Sequence, residues 1–146
     1  MASQNFLSIL LVEDNDDDVI FLERCMKKAN LGHRLSRVSN GVEAMNYLLK
    51  VSPFEDANLP SLVLLDLNMP RKDGISVLKE VKAHPALKHI PVVVFTSSKQ
   101  ESEIRRCYAE GASSFIPKLT DSEELKKLFT TFSEYWERVA CIPNAV

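Results

Sequence analysis

The sequence predicts a doubly wound α/β fold, in which helices cover both faces of a parallel sheet. Short, nearly continuous apolar runs recur along the chain, and segments with helical spacing of apolar residues follow them. Continuous apolar runs are typical of parallel strands, which are buried on both faces. With 146 residues, 45% of them hydrophobic and 26% charged, the chain has the size and composition of one globular domain. We therefore predict a single domain over residues 1–146.

The first half of the chain predicts two strands and two helices. Residues 8–12 form the first apolar run, and a helical pattern follows it until about Asn30. Residues 34–39 alternate apolar and polar side chains as a strand would, and helical spacing resumes after Gly41. Residues 51–60 are predicted to form a loop.

The second half repeats the alternation three times. Its predicted elements are a strand over 62–66, a helix that carries Ile75, Leu78 and Val81, a strand over 92–96, a polar helix over about 99–110, a strand over 114–117, and a final helix marked by Leu125, Leu128, Phe129, Phe132 and Trp136. Right-handed crossovers between successive strands would place these helices on both faces of one sheet.

Pro117 indicates where the last strand lies. Proline has no amide hydrogen to donate to a neighbouring strand, so a strand that contains it is expected at the edge of a sheet. The flavodoxin-like strand order 2-1-3-4-5 places the fifth strand at an edge. We therefore predict a five-stranded, parallel (βα)5 sheet with that order.

Composition argues against several classes of protein. A net charge of −2 provides no basic face for phosphates, which argues against nucleic acid as a direct partner. No apolar run is long enough to cross a membrane, and residues 1–7 lack the features of a secretory signal, so a cytoplasmic location is expected. Cys25, Cys107 and Cys141 have no C-x-x-C spacing and predict neither a zinc site nor a disulfide framework.

Chemically active residue types stand where the apolar runs end. Glu13 and Asp14 follow the first predicted strand, and Asp66 ends the third. Thr96 ends the fourth strand, and Lys118 follows the fifth. Because ligand sites of open parallel sheets lie beyond the carboxyl ends of the strands, we expect these five side chains to converge at one edge.

The three carboxylates predict a magnesium site. Glu13, Asp14 and Asp66 would repel one another without a counter-charge, and Mg²⁺ favours oxygen sites that include one or two carboxylates. A bound Mg²⁺ together with Lys118 would also neutralise a phosphoryl group that arrives at a carboxylate oxygen. In that case Asp66 would be the nucleophile.

Acidic residues at the start of a helix also have a simpler explanation. They can cap the helix and complement its dipole, and each then contributes only about a few tenths of a kcal/mol. We favour that interpretation for Asp16, Asp17 and Asp18. For the acidic pair before them it leaves the carboxylate at the end of the third strand unexplained, since an ion is rarely buried there without a partner.

Four short motifs together resemble those of the receiver domains of two-component response regulators. The motifs are LVED at 11–14, LDLNMP at 65–70 with DG at 73–74, FTS at 95–97 and FIPK at 115–118. The resemblance covers roughly residues 8–137 and leaves residues 138–146 as a C-terminal extension.

The resemblance implies a role for each site residue. Asp66 would accept a phosphoryl group from the phosphohistidine of a sensor histidine kinase. Glu13 and Asp14 match the acidic pair near Mg²⁺, with Asp14 a direct ligand, and Asn68 would supply a backbone carbonyl to the metal. Lys118 would pair with the phosphoryl group.

The resemblance also implies a conformational switch. Thr96 matches the hydroxyl that moves to bond the phosphoryl oxygen, and Phe115 matches an aromatic side chain that then turns inward. Asn68 and Ser98 match positions that tune the lifetime of the aspartyl phosphate. The family commonly has a cis proline after this lysine, whereas Leu119 stands there in this chain. A cis bond to leucine would cost about 2.5–4 kcal/mol, so we expect a trans bond.

The chain further resembles the small single-domain response regulators that accompany cyanobacterial phytochromes. This implies a phytochrome-type sensor kinase as a partner and an output through contact with another protein. Phe132 and Trp136 lie on an apolar stripe of a final helix that outruns the predicted sheet. The first half of this helix is expected to pack in the core, whereas its last turns need another cover, such as a second copy of the chain. We therefore expect a homodimer through the fourth helix, the fifth strand, the fifth helix and the C-terminal extension.

Two other functions stay open on the sequence alone. A Mg²⁺-dependent phosphatase can also form an aspartyl phosphate on a doubly wound sheet, but it needs a proton-donating aspartate at the position of Asn68. A receiver-like interaction module that is never phosphorylated would not need all five site residues. We therefore predict a phosphoacceptor that catalyses only its own phosphorylation and dephosphorylation, and not an enzyme with an external substrate.

Overall fold

The structure, a computed structural model, describes residues 7–69 and 71–143. Within them, strands alternate with α-helices, and a π-helix follows the last α-helix. The elements are β1 (Ser8–Val12), α1 (Asp16–Lys28), β2 (Arg34–Val38), α2 (Gly41–Leu48), β3 (Leu62–Leu65), α3 (Gly74–Ala83), β4 (Val92–Thr96), α4 (Glu101–Ala109), β5 (Ser114–Pro117), α5 (Ser122–Glu134) and the π-helix (Tyr135–Val139).

The strands form one parallel sheet in the order β2-β1-β3-β4-β5. The predicted flavodoxin-like fold and its strand order are therefore confirmed. Pro117 lies on the edge strand, and Lys118 N–H points inward, where it donates to the carbonyl of Thr96 at 3.0 Å. Because successive amides of a strand point in opposite directions, the nitrogen of Pro117 faces the open edge, where no ladder hydrogen bond is lost.

Some bounds of the elements differ from the predicted ones by one or two residues. The second strand ends at Val38, because the Ser39 N–H donates to Glu43 Oε1 at 2.7 Å instead of continuing the ladder. The fourth helix spans Glu101–Ala109 rather than about 99–110. These differences lie at caps, where side-chain hydrogen bonds replace regular backbone pairing.

The end of the chain departs further from the predicted single helix. The helix α5 ends at Glu134, and Trp136 lies in the π-helix that follows. Residues 140–143, which follow the π-helix, contain neither helix nor strand, and Ile142 packs against the core. Residues 144–146 of the predicted C-terminal extension, like residues 1–6, lie outside the described residues.

Side chains of the strands alternate between two core layers on opposite faces of the sheet. Leu10 and Val12 of β1 belong to the layer with α2, α3 and α4, whereas Ile9 and Leu11 belong to the layer with α1 and α5. All four are almost completely buried. Both faces of the sheet are thus used for packing, which leaves its edges for chemistry.

The helix α4 is the least anchored α-helix in the described residues. Only Cys107 of this helix is buried, whereas each of the other four α-helices buries four residues. Elements with few buried contacts move at the lowest free-energy cost. We therefore expect α4 to shift more readily than its neighbours.

The described residues contain neither a disulfide nor a helix that could span a membrane. Cys25 and Cys107 are buried, Cys141 is exposed, and all three are free thiols. The helices of residues 7–69 and 71–143 are too short or too polar to cross a bilayer.

Candidate functional site

The candidate site residues lie where strands end at one edge of the sheet. Val12 of β1 pairs with Leu65 of β3, and the Asp66 N–H donates to the Val12 carbonyl at 3.0 Å. The Lys118 N–H bonds the carbonyl of Thr96 in the same way. These backbone pairs bring the residues at the ends of β1, β3, β4 and β5 side by side, as parallel strands require.

Three carboxylates meet at this edge. One oxygen each of Glu13, Asp14 and Asp66 lies within 4.8 Å of the other two. Glu13 and Asp66 are buried, with 2% and 5% of their surface exposed, whereas Asp14 is exposed. A set of hard oxygen donors that is open on one side fits Mg²⁺, which prefers oxygen ligands and retains several waters.

The ammonium of Lys118 lies among carboxylates. Its Nζ forms an ion pair with Glu13 Oε1, lies 3.0 Å from Asp18 Oδ2 and lies 3.6 Å from Asp66 Oδ2. The side chain of Lys118 is only 15% exposed. A half-buried ammonium is thus held within reach of the carboxylate expected to react.

Burial determines the charge balance of this cluster. It raises the pKa of Glu13 to about 7, against the hydrogen bond from Lys118. It also raises the pKa of Asp66, against the positive charge of Lys118. Burial alone would lower the pKa of Lys118, but its hydrogen bonds to Glu13 and Asp18 outweigh that effect, and the pKa is raised. The edge holds more carboxylate than one ammonium can stabilise, so additional positive charge would favour the ionised state.

Asp18 forms an ion pair that its position in the sequence did not predict. We expected Asp16, Asp17 and Asp18 to cap α1 or to complement its dipole. The cap is Asn15, whose Oδ1 accepts the Asp18 N–H at 3.1 Å, and the Asp18 carboxylate pairs with Lys118. Asp18 lies in the first turn of α1 as expected, but its ion pair was not predicted, because Lys118 stands 100 positions later in the chain and no local pattern distinguishes Asp18 from Asp17.

Thr96 and Phe115 occupy differently packed positions. Thr96 is fully buried, and its hydroxyl accepts the Ser98 N–H at 3.4 Å. Phe115 is half-buried against the core layer that includes α4, and its N–H donates to the Tyr108 hydroxyl at 3.1 Å. Phe115 is therefore linked both to the sheet and to the weakly anchored α4.

The residues just after β3 and β5 complete the description of the site. Asn68 is exposed, and its backbone N–H forms a hydrogen bond with the Asp66 carboxylate that favours the ionised form. Pro70 lies outside the described residues. Ser52–Pro53 is the cis peptide bond of residues 7–69 and 71–143, so the Lys118–Leu119 bond is trans, as expected.

Comparison with known proteins identifies the family. A sequence model described as the response regulator receiver domain matches residues 9–130. The chain belongs to this family. This match confirms the family resemblance inferred from the four motifs. Receiver domains act in signalling rather than as conventional enzymes.

The receiver domain is related to phytochrome response regulators. Response regulator Rcp1 of Synechocystis sp. is 35% identical over 137 residues, which cover 94% of this chain and 93% of that protein. The crystal structure of a phosphorylated cyanobacterial phytochrome response regulator, RcpA, is 36% identical with a TM-score of 0.88, and the match covers 96% of this chain and 100% of RcpA. The Mn(2+)-bound form of Rcp1 has a TM-score of 0.85 at 34% identity, with 94% and 99% covered.

Away from this edge, the receiver domain also places a serine, a histidine and a glutamate next to one another, as in a catalytic triad. His33 Nε2 lies 2.8 Å from Ser133 Oγ, and its Nδ1 lies 3.4 Å from Glu137 Oε1. However, the Leu7 N–H donates to Nδ1 at 3.2 Å, and burial lowers the pKa of His33, so the neutral ring carries its proton on Nε2. A general base needs that nitrogen free. The trio therefore ties the start of β1 to α5 and does not form a hydrolytic site.

Proposed function

We propose that the receiver domain accepts a phosphoryl group from the phosphohistidine of a sensor histidine kinase onto Asp66. The group then changes the affinity of the domain for a partner. The observation that carries this proposal is the position of the Asp66 carboxylate, beside those of Glu13 and Asp14 and 3.6 Å from the ammonium of Lys118. A receiver domain over residues 8–137 that works in the cytoplasm would serve this role, with residues 138–146 as an extension.

The transfer forms one bond and breaks another. An oxygen of the Asp66 carboxylate attacks phosphorus, and the P–N bond to the kinase histidine breaks. The electron pair of that bond stays on the imidazole, which leaves as the neutral ring when its other nitrogen carries a proton. The product is an acyl phosphate, so no proton need pass through Asp66 itself.

Positive charge is needed because the phosphoryl group is anionic and the site is acidic. Lys118 supplies part of it, since its ammonium can turn from the carboxylates to a phosphoryl oxygen. A Mg²⁺ ion held by Asp14 and Asp66, with Glu13 beside it and the backbone carbonyl of Asn68 as a further ligand, would supply the rest. The raised pKa of Asp66 supports a requirement for further positive charge, because it indicates that Lys118 alone does not balance the charge of the buried carboxylate.

The readout is proposed to pass from Thr96 to α4. The Thr96 hydroxyl would turn to the phosphoryl oxygen, and Phe115 would turn inward behind it. Phe115 is also linked to α4 through the Tyr108 hydroxyl, and Cys107 is the one buried residue of α4. Movement at Phe115 would therefore reach α4 at little cost. Asn68 and Ser98, next to the reacting groups, would tune the lifetime of the phosphate.

Intact mass spectrometry tests the phosphoacceptor function. We expect incubation with acetyl phosphate and Mg²⁺ to add one phosphoryl group per chain, EDTA to prevent the addition, and hydroxylamine to remove the group. An autophosphorylated phytochrome-type kinase should be the faster donor, given the related phytochrome response regulators.

Other results would favour the alternatives. Absence of both an adduct and Mg²⁺ binding would favour an interaction module that is never phosphorylated. Release of many equivalents of phosphate per chain at a high rate would favour a phosphatase. An adduct that resists hydroxylamine would contradict an acyl phosphate.

We also propose that the domain forms a homodimer through α4, β5, α5 and the C-terminal extension. A groove between β5 and α5 is lined by Ile116, Leu128, Phe132 and Trp136, and Tyr135 beside it is 49% exposed. An apolar groove of this kind is typical of an interface. Light scattering over a concentration series should show dimers, and monomers at every concentration, with and without phosphorylation, would contradict the proposal.

A further inference from the structure

Lys118 has more carboxylate partners than the proposed phosphoryl transfer uses. Glu13 and Asp66 follow strands at the edge of the sheet, whereas Asp18 belongs to the first turn of α1. Nevertheless, Lys118 Nζ is closer to Asp18 Oδ2, at 3.0 Å, than to Asp66 Oδ2, at 3.6 Å. The ammonium is therefore drawn towards α1 and away from the carboxylate that is proposed to react.

The three partners differ in how readily they can be released. The side chains of Glu13 and Asp66 are 2% and 7% exposed, whereas that of Asp18 is 42% exposed. A buried carboxylate that loses its partner is left without compensation, but an exposed one is hydrated by water. Asp18 is thus the partner that Lys118 can leave at the lowest cost.

An ammonium has three N–H donors, and three carboxylates lie around this one. A phosphoryl group on Asp66 brings about two negative charges and several acceptor oxygens to the same place. As Lys118 moves towards the phosphoryl oxygens on Asp66, the exposed contact with Asp18 is the one that it gives up at the lowest cost. Asp18 therefore stabilises the unphosphorylated state selectively.

Resting on the proposed function, we propose that Asp18 is a positioning residue that holds Lys118 before transfer and slows phosphoryl uptake by Asp66. Asp18 does not touch the reacting atoms and acts only through the ammonium. With acetyl phosphate as donor, the Asp66 oxygen bonds phosphorus, and the acetyl C–O–P bridge breaks at phosphorus. Acetate leaves with the electron pair, so the charge is conserved without a proton.

The test compares Asp18→Asn with Asp17→Asn. Both variants remove one negative charge from the first turn of α1, but Asp17 is exposed and, within residues 7–69 and 71–143, forms no ion pair with Lys118. The rate of uptake from acetyl phosphate with Mg²⁺ is followed by intact mass. We expect Asp18→Asn to be about two- to fivefold faster than Asp17→Asn, in line with the modest strength of a partly exposed ion pair. Asp18→Glu, which restores a carboxylate, should return the rate to that of the native chain.

A second background separates positioning from a general effect of charge or folding. In Lys118→Met, the difference between Asp18→Asn and Asp17→Asn should disappear, because the contact no longer exists. A native chain that accepts no phosphoryl group would overturn the proposed function and this role together. A native chain that accepts it, with Asp18→Asn equal to or slower than Asp17→Asn, would overturn the role of Asp18 alone.

Discussion

Asp66→Asn is expected to abolish phosphoryl uptake and, at the same time, to raise the free energy of unfolding. Uptake is lost because the amide provides no anionic oxygen to attack phosphorus. Stability rises because burial makes the ionised carboxylate of Asp66 unfavourable. The pKa of Asp66 is raised even though Lys118 lies beside it, which indicates that burial outweighs the favourable charge of Lys118. Removal of that charge also relieves repulsion with Asp14, whose carboxylate lies within 4.8 Å.

Asp73→Asn is the matched control for this prediction. Asp73 caps α3, where its Oδ1 accepts the Ser76 N–H at 2.9 Å, and this backbone hydrogen bond lowers the pKa of Asp73. Its ionised form is therefore favoured by the fold, and loss of the charge should lower stability slightly, since asparagine still caps a helix well. Uptake should persist in this variant.

Denaturant unfolding in EDTA and intact mass after acetyl phosphate treatment check both parts. The two aspartate variants should shift the unfolding midpoint in opposite directions, and only Asp66→Asn should lose the adduct. An adduct that persists in Asp66→Asn would identify another nucleophile. A stability that falls in Asp66→Asn would show that the Lys118 contact outweighs the burial of the charge.

The sheet was predictable because its signals are local and mutually consistent. Buried parallel strands require apolar runs such as residues 62–65, and a proline in β5 is compatible with an edge position. Once the strand order is given, the ends of β1, β3, β4 and β5 must meet. Proximity of Glu13, Asp14 and Asp66 therefore follows from topology.

The sequence could not reveal which carboxylates of the site pair with Lys118. Asp17 and Asp18 are identical residues at adjacent positions of one helix turn, and only the direction of each side chain decides which meets Lys118. The end of β2 was missed for a similar reason, since the Ser39 N–H donates to the side chain of Glu43 in α2. Such choices depend on contacts between distant or capping groups, and spacing along the chain does not encode them.

Gly74→Ala sets two physical effects against each other. Gly74 is the first residue of α3, and alanine in a helix is usually more stable than glycine by about 0.5–1 kcal/mol. However, a Cβ atom at this position would lie 2.3 Å from the Asp66 carbonyl oxygen and 2.8 Å from Leu67 Cα. Both neighbours are backbone atoms, which cannot swing away as a side chain can. We expect the steric clash to outweigh the helix preference of alanine.

We therefore expect Gly74→Ala to lower the free energy of unfolding by about 1–3 kcal/mol, the range of overpacked sites. Because the clash displaces the residue proposed to accept the phosphoryl group, uptake should also slow about tenfold to a hundredfold. Lys79→Ala, on the same helix with a half-exposed side chain, introduces alanine without a clash and should change stability by less than about 0.5 kcal/mol. Urea unfolding and the rate of mass increase measure the two effects. Unchanged stability with normal uptake would mean that the loop after β3 yields freely, and the close approach of α3 to Asp66 would then have no part in fixing the carboxylate.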